Sequence, residues 1–479
     1  MNAPGKVGSI GSIGLAARQL VSNIISWAST AATTVWATGS NWVGGVAPLS
    51  NTTTNVANFD QASYTSQPNA GTTSIKGVTI GANSAALTLS GTTLTVGPGD
   101  IDILSANAVT ISAVVAGTGS VNKGGTGTLT LSGTSGTQGG TFTGALVVNA
   151  GTLRVGTATA NNNSTQKLTG ISSVSVATGA TLALSTGAAL KDGLASITLA
   201  GTLSCDTSGI VSGGLHNRLG ALTFTGGTLT TSNGASGAFQ SLSLKQDVLV
   251  SGSAAASITP GGATNNGVHL ADNSAGATRT FNVENVTANA STDLTVSAVL
   301  IDSSNNAGAT GLAKTGAGTM LLSGVNTYTG ATTVSDGVLT VTGSVAAGSA
   351  VTISGGKLQG SGTLSGTITV ANVSGSKIQG GTGNNTTTTL TVGALTFNGT
   401  NADLHVTTNG TNAVSLVTST GAVALGGATV NLVQPLDAGS YTLIGGSSMS
   451  GTVVIGTNST GRTVSSCSVV GNNLVLVLT

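Results

Sequence analysis

The chain has 479 residues with 74 glycines, but only 14 Lys or Arg and 13 Asp or Glu, and its formal net charge is +1. Charged residues make up 6% of the chain, against about 25% in typical soluble domains. This balance excludes a nucleic-acid binder that relies on basic patches, and the 39% of apolar residues exclude charge-rich disorder. Irregular glycine spacing excludes collagen, two cysteines exclude a disulfide scaffold, and no apolar run reaches the roughly 18 residues of a membrane helix.

The first 30 residues differ from the rest of the chain. Val7–Leu15 reads VGSIGSIGL, and the apolar residues between Leu20 and Ala28 fall at helical spacing. Two interpretations stay open for residues 1–30. They are an atypical signal segment with Lys6 and Arg18 as its basic residues, or a retained arm that packs on the fold or on a neighbouring subunit.

Residues 31–75 are predicted to form an aromatic cap. Trp36, Trp42, Phe59 and Tyr64 gather in this stretch of a chain that has only 3% aromatic residues. Clustered aromatic side chains suit a terminal cap, because they cover the open end of a narrow core.

From residue 76 to about 435, short segments alternate Leu, Val or Ile with Thr or Ser. This period of two predicts half-buried β-strands, and the Gly or Asn residues between the segments predict tight turns. Such segments include Ala86–Ser90, Thr128–Leu131, Thr152–Val155, Thr181–Leu184 and Thr367–Val370.

Two architectures fit strands this short, namely a series of sandwiches or barrels, and a β-solenoid of stacked rungs. The aromatic residues are too few to fill wide sandwich cores, whereas small apolar residues suit a narrow stacked core. Charges facing such a core would be buried, which is costly and agrees with their scarcity. We therefore predict an all-β fold, a parallel β-helix with terminal cap segments, with its solenoid at residues 76–435 and closing strands at 436–479.

Two segments of the chain repeat each other. Lys123–Gly133 reads KGGTGTLTLSG, and Lys314–Gly324 reads KTGAGTMLLSG. Each leads to a Thr-Gly pair and, seven residues after that Gly, to another Gly that opens Gly151–Val155 (GTLRV) or Gly337–Val341 (GVLTV). The first copy has five extra residues before its Thr143-Gly144 pair.

These segments resemble the autotransporter-associated β-strand repeat, which occurs in passenger regions of bacterial autotransporters and in large secreted proteins. Lys314–Val341 is similar along its whole length, and Lys123–Val155 is similar apart from the insertion. The resemblance implies a secreted, right-handed parallel β-helix and no single activity. Autotransporters continue into a membrane barrel. No such segment follows here, so transport through the chain's own barrel is not expected. Looser resemblance extends to Trp36–Phe59, Gly355–Val370 and Asp437–Val454.

Few residues suggest chemistry. Asp100 and Asp102 are the best carboxylate pair, since their spacing puts both on one strand face. An exposed strand edge explains them as well as a polysaccharide lyase or hydrolase site does. No metal or cofactor is predicted, because the three histidines are isolated in sequence: His216, His269 and His405.

Two further pairs of residues are interpreted structurally. Cys205 and Cys467 lie far apart without metal-ligand spacing, so we expect free thiols. Lys123 and Lys314 open the two repeats. We expect them either to bind the carbonyl groups of turns or to face solvent.

We predict an extracellular structural protein without catalytic activity, a subunit of a surface filament or sheath that stacks head to tail. Its partners would be copies of the same chain and possible cell-surface glycans, with no nucleic acid and no membrane span. The alternatives are an adhesin that binds surfaces or glycans as a monomer, and a polysaccharide lyase or hydrolase. The candidate assembly residues are Val7, Ile10, Ile13, Leu15, Leu474, Leu476 and Leu478.

Overall fold

A computed structural model shows the chain as two compact units, Met1–Lys191 and Asp192–Thr479. The structure describes residues 24–133, 142–156, 168, 170–185, 189–190, 196–205, 217–231, 242–261, 267–272, 274, 276–303, 308–383 and 387–479.

Unit 1 is built of strands of three or four residues, because Gly, Asn or Ser ends most of the alternating segments. Its one described helical element is a single 3-10 turn at Gly39–Asn41. The strands are β1 (Ile24–Ser26), β2 (Val56–Phe59), β3 (Thr72–Ile75), β4 (Gly77–Ile80), β5 (Leu87–Leu89), β6 (Thr93–Val96), β7 (Ile101–Ile103), β8 (Val109–Ile111), β9 (Val114–Gly117), β10 (Val121–Lys123), β11 (Thr128–Leu131), β12 (Leu146–Val148), β13 (Thr152–Val155), β14 (Ser173–Val176) and β15 (Thr181–Leu184).

These strands stack into three parallel sheets. One contains β1, β2, β4, β7, β10, β12 and β14, a second contains β5, β8, β11, β13 and β15, and a third contains β3, β6 and β9. The chain visits the sheets in turn and returns one rung further on, so that Ile101 pairs with Val121, which pairs with Leu146. This is a parallel β-helix, as the sequence predicts.

The core of unit 1 follows the alternation. In β11, Leu129 and Leu131 are fully buried, while the Thr residues between them face outward. At the start of the unit, Trp27 packs edge-on against Trp42 with ring centroids 5.0 Å apart, and Phe59 lies beside both. The sequence assigns Trp27 to the N-terminal arm, but its ring belongs to this aromatic cluster.

Unit 2 is longer and is built in the same way. Its strands are β16 (Ser196–Leu199), β17 (Thr202–Cys205), β18 (Asn217–Leu219), β19 (Leu222–Phe224), β20 (Thr228–Thr230), β21 (Leu242–Leu244), β22 (Val248–Val250), β23 (Ala256–Thr259), β24 (Val268–His269), β25 (Thr278–Val283), β26 (Leu294–Val296), β27 (Leu300–Ile301), β28 (Gly311–Thr315), β29 (Thr319–Leu322), β30 (Val325–Asn326), β31 (Thr332–Val334), β32 (Val338–Val341), β33 (Ser344–Val345), β34 (Val351–Ile353), β35 (Lys357–Gly360), β36 (Thr363–Leu364), β37 (Ile368–Val370), β38 (Lys377–Gly380), β39 (Thr389–Val392), β40 (Leu395–Phe397), β41 (Asp403–Val406), β42 (Leu416–Ser419), β43 (Ala422–Ala424), β44 (Ala428–Leu432), β45 (Gly439–Gly445), β46 (Ser448–Ser450), β47 (Val453–Asn458), β48 (Val464–Val470) and β49 (Asn473–Leu478).

The sheets of unit 2 are parallel except at the C-terminal end. One runs from β16 through every third strand to β46, a second runs from β17 in the same way to β47, and a third contains β18, β21, β24 and β27. The fourth runs from β30 to β45 and ends with β49 and β48, which pair antiparallel. Unit 2 is therefore also a parallel β-helix, closed by an antiparallel hairpin.

Candidate functional site

The lysine that opens the second repeat is a buried clamp on two turns. Lys314 ends inside unit 2, where its Nζ donates hydrogen bonds to the backbone oxygens of Thr315 (2.8 Å), Gly316 (2.6 Å) and Asp336 (3.3 Å). Burial lowers its pKa to about 8, although the negative charge of Asp336 opposes this. Since Asp336 lies in the turn after β31, one rung further on, the side chain ties successive turns together.

The lysine that opens the first repeat makes the same kind of contact with turn oxygens in unit 1. Lys123 is buried, and its Nζ donates to the backbone oxygens of Gly125 and Ala150. Ala150 precedes Gly151 just as Asp336 precedes Gly337, so the two lysines hold corresponding turns. Of the two expectations for these lysines, binding of turn carbonyls is confirmed and exposure to solvent is wrong.

The aromatic position of the repeat is buried in both copies. Tyr328 is fully buried, and its hydroxyl lies 2.8 Å from Oγ1 of Thr332, which lies 2.8 Å from Oγ of Ser349. Burial raises the pKa of Tyr328 to about 12. The first copy has the fully buried Phe142 at this position, and residues 134–141, the stretch that holds its five extra residues, lie outside the described residues.

The carboxylate pair is held by its own sheet. Asp100 precedes β7 and accepts a hydrogen bond from the backbone N–H of Ser120 (2.7 Å). The side-chain amide of Asn122 donates to Asp100 (3.3 Å) and to Asp102 (2.8 Å), so the two carboxylates do share one face. This arrangement satisfies both groups within the rungs and gives no sign of a catalytic pair.

Of the three histidines, His269 and His405 lie on strands of different sheets, β24 and β41. His216 lies outside the described residues, whereas His269 places Nδ1 2.7 Å from the backbone oxygen of Asp302. Burial lowers the pKa of His269. Nearby, Asp272 pairs with Arg218 at 3.0 Å, a contact that sequence reasoning missed because the two residues lie far apart in the chain. In the described part of the chain, no three His, Cys, Asp or Glu side chains converge as a metal site.

Neither cysteine of unit 2 forms a disulfide, and the side-chain amide of Asn217 donates to Sγ of Cys205 (3.7 Å). Cys205 is buried in β17, while Cys467 is only partly buried in β48. Burial raises the pKa of Cys467 to about 11, which keeps this thiol protonated and unreactive at neutral pH.

The candidate assembly residues fall into two groups. Val7, Ile10, Ile13 and Leu15 lie outside the described residues. The second group lies on β49, which pairs with β45 on one side and β48 on the other, so it is a central strand and not an open edge. The side chains of this group are buried in unit 2, which leaves them no surface to offer a neighbouring chain: Leu474, Leu476 and Leu478.

A cluster that sequence reasoning missed lies on the outer face of β35, β38 and β41. Lys357 pairs in register with Lys377, which pairs with Asp403, and Gln359 pairs with Gln379. His405 follows on the same face of β41, because it lies two residues beyond Asp403. We call Lys357, Gln359, Lys377, Gln379, Asp403 and His405 the polar ladder. The recurrence of Lys-apolar-Gln-Gly at 357–360 and 377–380 is the sequence signal that could have revealed it.

The charges of the polar ladder act on one another. Burial lowers the pKa of Lys357 to about 8, and the positive charge of Lys377 contributes. Burial also lowers the pKa of His405 to about 4, with both lysines adding to the effect. The pKa of Asp403 is raised by burial, while Lys377 opposes the rise. Three cationic or basic groups thus face a single carboxylate on this sheet.

Comparison with known proteins agrees with the repeats. Two stretches, residues 121–155 and 312–341, match the passenger-associated-transport-repeat. They contain the two buried lysines, the two aromatic positions and the two glycine turns described above. None of the curated proteins compared with the chain matches it significantly. Among the described residues, no helix is long and apolar enough to cross a membrane. The chain therefore carries two passenger-associated-transport-repeats, one in each unit.

Proposed function

We propose that the chain is an extracellular, non-catalytic structural protein whose copies assemble head to tail through their terminal rungs. The observation that carries this proposal is that most exposed large apolar side chains lie near the two ends of the described chain. Ten large apolar side chains are exposed in the described part of the chain, and seven of them lie within residues 24–49 or 454–470: Ile24, Val35, Val43, Val46, Leu49, Val454 and Val470.

The terminal rungs also carry open sheet edges. Within the described residues, β1 pairs only with β2, β46 only with β43, and β47 only with β44. β48 pairs only with β49. Such edges present unpaired N–H and C=O groups that can pair with another chain, and few charges protect them here.

The burial of Leu474, Leu476 and Leu478 moves the proposed contact to neighbouring strands. The C-terminal contact would use the exposed backbone of β47 and β48, together with Val454 and Val470. The role of Val7, Ile10, Ile13 and Leu15 as a bridging arm stays a prediction.

The repeat family supports an extracellular setting, since passenger regions are the secreted parts of their proteins. The stacked architecture supports a structural role, because its rungs provide length and stiffness with no catalytic group. Its low charge also leaves little repulsion between copies.

The test is association of the full chain, measured by sedimentation velocity over a concentration series and by negative-stain electron microscopy. We expect concentration-dependent association of the unaltered chain into linear assemblies. Val454→Lys and Val470→Lys should weaken it by about tenfold or more, because a charge on an edge strand opposes pairing with another edge.

Val373→Lys is the matched control, since Val373 is 45% exposed but lies between β37 and β38, away from both ends of the chain. It should associate like the unaltered chain. A chain that stays monomeric at high concentration, or equal loss in all three variants, would contradict the proposal.

A further inference from the structure

The polar ladder carries an inference that is independent of assembly. We propose that Lys357 and Lys377 form a binding site for a carboxylate or sulfate group, either as a free anion or as part of an acidic polysaccharide.

The two ammonium groups have no protein partner in the part of the chain that the structure describes. Among the described residues, neither Lys357 nor Lys377 donates a side-chain hydrogen bond or forms an ion pair. This contrasts with Lys123 and Lys314, whose ammonium groups are bound to backbone oxygens. Asp403 pairs with Lys377 in register, yet its carboxylate makes no ion pair with it within the described part of the chain. The lysines therefore retain the capacity to bind an anion.

The lysines are also placed against each other. Lys357 and Lys377 are register partners on adjacent parallel strands, so their backbones are about 4.8 Å apart. Like charges directly opposite on a sheet repel, and only 6% of this chain is charged. An anion between the two ammonium groups would convert this repulsion into attraction.

Polar side chains adjoin the two lysines on the same face of the sheet. Gln359 and Gln379 are 7% and 0% exposed as residues, and their amide groups donate to the backbone oxygens of Thr382 (3.1 Å) and Gly383 (3.1 Å). The amide oxygens of both glutamines and Nδ1 of His405 are buried without a partner within the described residues. The segment that contains Thr382 and Gly383 thus lies over one side of the ladder, held by amides with spare acceptor capacity.

The surroundings favour a hydroxylated anion. Beyond Asp403 and His405, the outer face continues with Thr429 and Asn431, and before Gln359 it has Thr340. Thr340 is buried and accepts a hydrogen bond from Gln359 (3.0 Å), so it is not open to a ligand. Thr429 and Asn431 are half-buried; the Thr429 hydroxyl donates to the backbone oxygen of Thr400 (2.6 Å) but can still accept, and the Asn431 amide can donate to the hydroxyl groups of a sugar. An acidic saccharide could place its carboxylate on the lysines and lie along Thr429 and Asn431.

The test is isothermal titration calorimetry of the full chain with tetragalacturonate, sodium sulfate, maltotetraose and poly-glutamate. We expect saturable binding of tetragalacturonate at one site and no heat from the neutral maltotetraose. Lys357→Gln/Lys377→Gln should weaken binding by about tenfold or more, and Lys357→Arg/Lys377→Arg should retain it.

Lys76→Gln is the matched control, because it removes one lysine from unit 1 and should leave binding within about twofold. Circular dichroism melting of each variant establishes that it is folded. If sodium sulfate displaces bound tetragalacturonate, the site also binds free anions. If sulfate does not displace it, the site binds the acidic saccharide only. Absence of saturable binding by both anions, equal weakening by Lys76→Gln, or preference for poly-glutamate would overturn the proposal.

Discussion

Lys314 shows how a low-charge protein accommodates a buried cation. Burying an unpaired ammonium group is costly, but the Lys314 ammonium donates hydrogen bonds to three backbone oxygens. Those oxygens belong to turns, where neighbouring backbone groups cannot satisfy them all. The charge and the turns therefore depend on each other, so neither can be changed alone.

We expect Lys314→Met to lower the free energy of unfolding by about 1–3 kcal/mol, because buried turn oxygens lose their donor. Urea denaturation followed by circular dichroism measures this. Lys377→Met is the control, since the Lys377 ammonium makes no hydrogen bond within the described residues. This substitution should change the free energy of unfolding little. A Lys314→Met chain as stable as the control would show that the clamp contributes nothing.

His405 predicts a pH dependence below neutrality. Its pKa is about 4 in the folded chain, against an ordinary value of 6.5. Between these values the unfolded chain binds the proton and the folded chain does not, so stability is lost as the pH falls from 6.5 to 4. The loss should be on the order of 1 kcal/mol after allowance for solvent screening.

Comparison with His405→Gln isolates this effect, because glutamine keeps a polar side chain at this position but carries no titratable group. Thermal melting at several pH values should show the His405→Gln chain less sensitive across the window. Parallel pH profiles for the two chains would contradict the expected role of His405.

At the residue scale, sequence reasoning reached some contacts and missed others. The lysine clamps were one of two options, because a lysine that opens a repeat stands next to its turn. The pairing of Lys357 with Lys377 was missed, because it depends on register across a full rung. The Lys-apolar-Gln-Gly recurrence marks the two lysines, but Asp403 joins them over a longer interval and does not share that motif.

At the scale of elements, the turns restrict side chains more than the strands do. Gly337 opens β32 with a φ of +60°, and a Cβ atom there would lie 2.4 Å from the backbone oxygen of Gly316. That oxygen also accepts a hydrogen bond from Lys314. At this turn, the backbone of one rung therefore lies directly against the backbone of the next rung.

We expect Gly337→Ala to destabilise unit 2 far more than Gly410→Ala. Both glycines have positive φ, but a Cβ atom at Gly410 would meet nothing within 4 Å. Gly410→Ala should cost only the conformational strain of about 1–2 kcal/mol, while Gly337→Ala adds a backbone collision. Chemical denaturation compares them, and equal costs would mean that the next rung can move aside.

The strands predicted best are those whose apolar alternation and flanking turn residues lie within one short segment of sequence. The predicted strands Thr128–Leu131, Thr152–Val155 and Thr181–Leu184 match β11, β13 and β15, because each alternates between turn residues. The C-terminal strand was placed correctly in sequence but not in its sheet. Its position between β45 and β48 arises because the chain reverses after Val470, and alternation does not distinguish parallel from antiparallel pairing.

At the scale of the whole molecule, the small number of charges governs how copies meet. With a formal net charge of +1, long-range attraction and repulsion between copies are both weak. We expect association to change by less than about threefold between 50 and 500 mM NaCl, since edge pairing and apolar contact carry it. Sedimentation velocity at both salt concentrations measures this. Dissociation by salt would instead point to association through ion pairs.

The two cysteines, which form no disulfide, predict a chain without an internal covalent link. Cys205 is buried, and the pKa of Cys467 is about 11. We expect iodoacetamide at pH 7 to label Cys467 slowly and Cys205 only after denaturation, as counted by intact mass spectrometry. Two thiols should be labelled in denaturant without reductant, and recovery of none would reveal a disulfide.

The stacking register has a consequence for how such a chain can change over generations. Thr332 pairs with Val351, and Val351 pairs with Ile368, so the stretch from one partner to the next is a complete circuit. A gene that gains or loses one whole circuit keeps the pairing partners on either side. The sequence after Gly133, where one repeat has five extra residues, marks a position at which such a repeat tolerates insertion. The molecule can therefore lengthen by duplication and acquire new loops without redesign of its core.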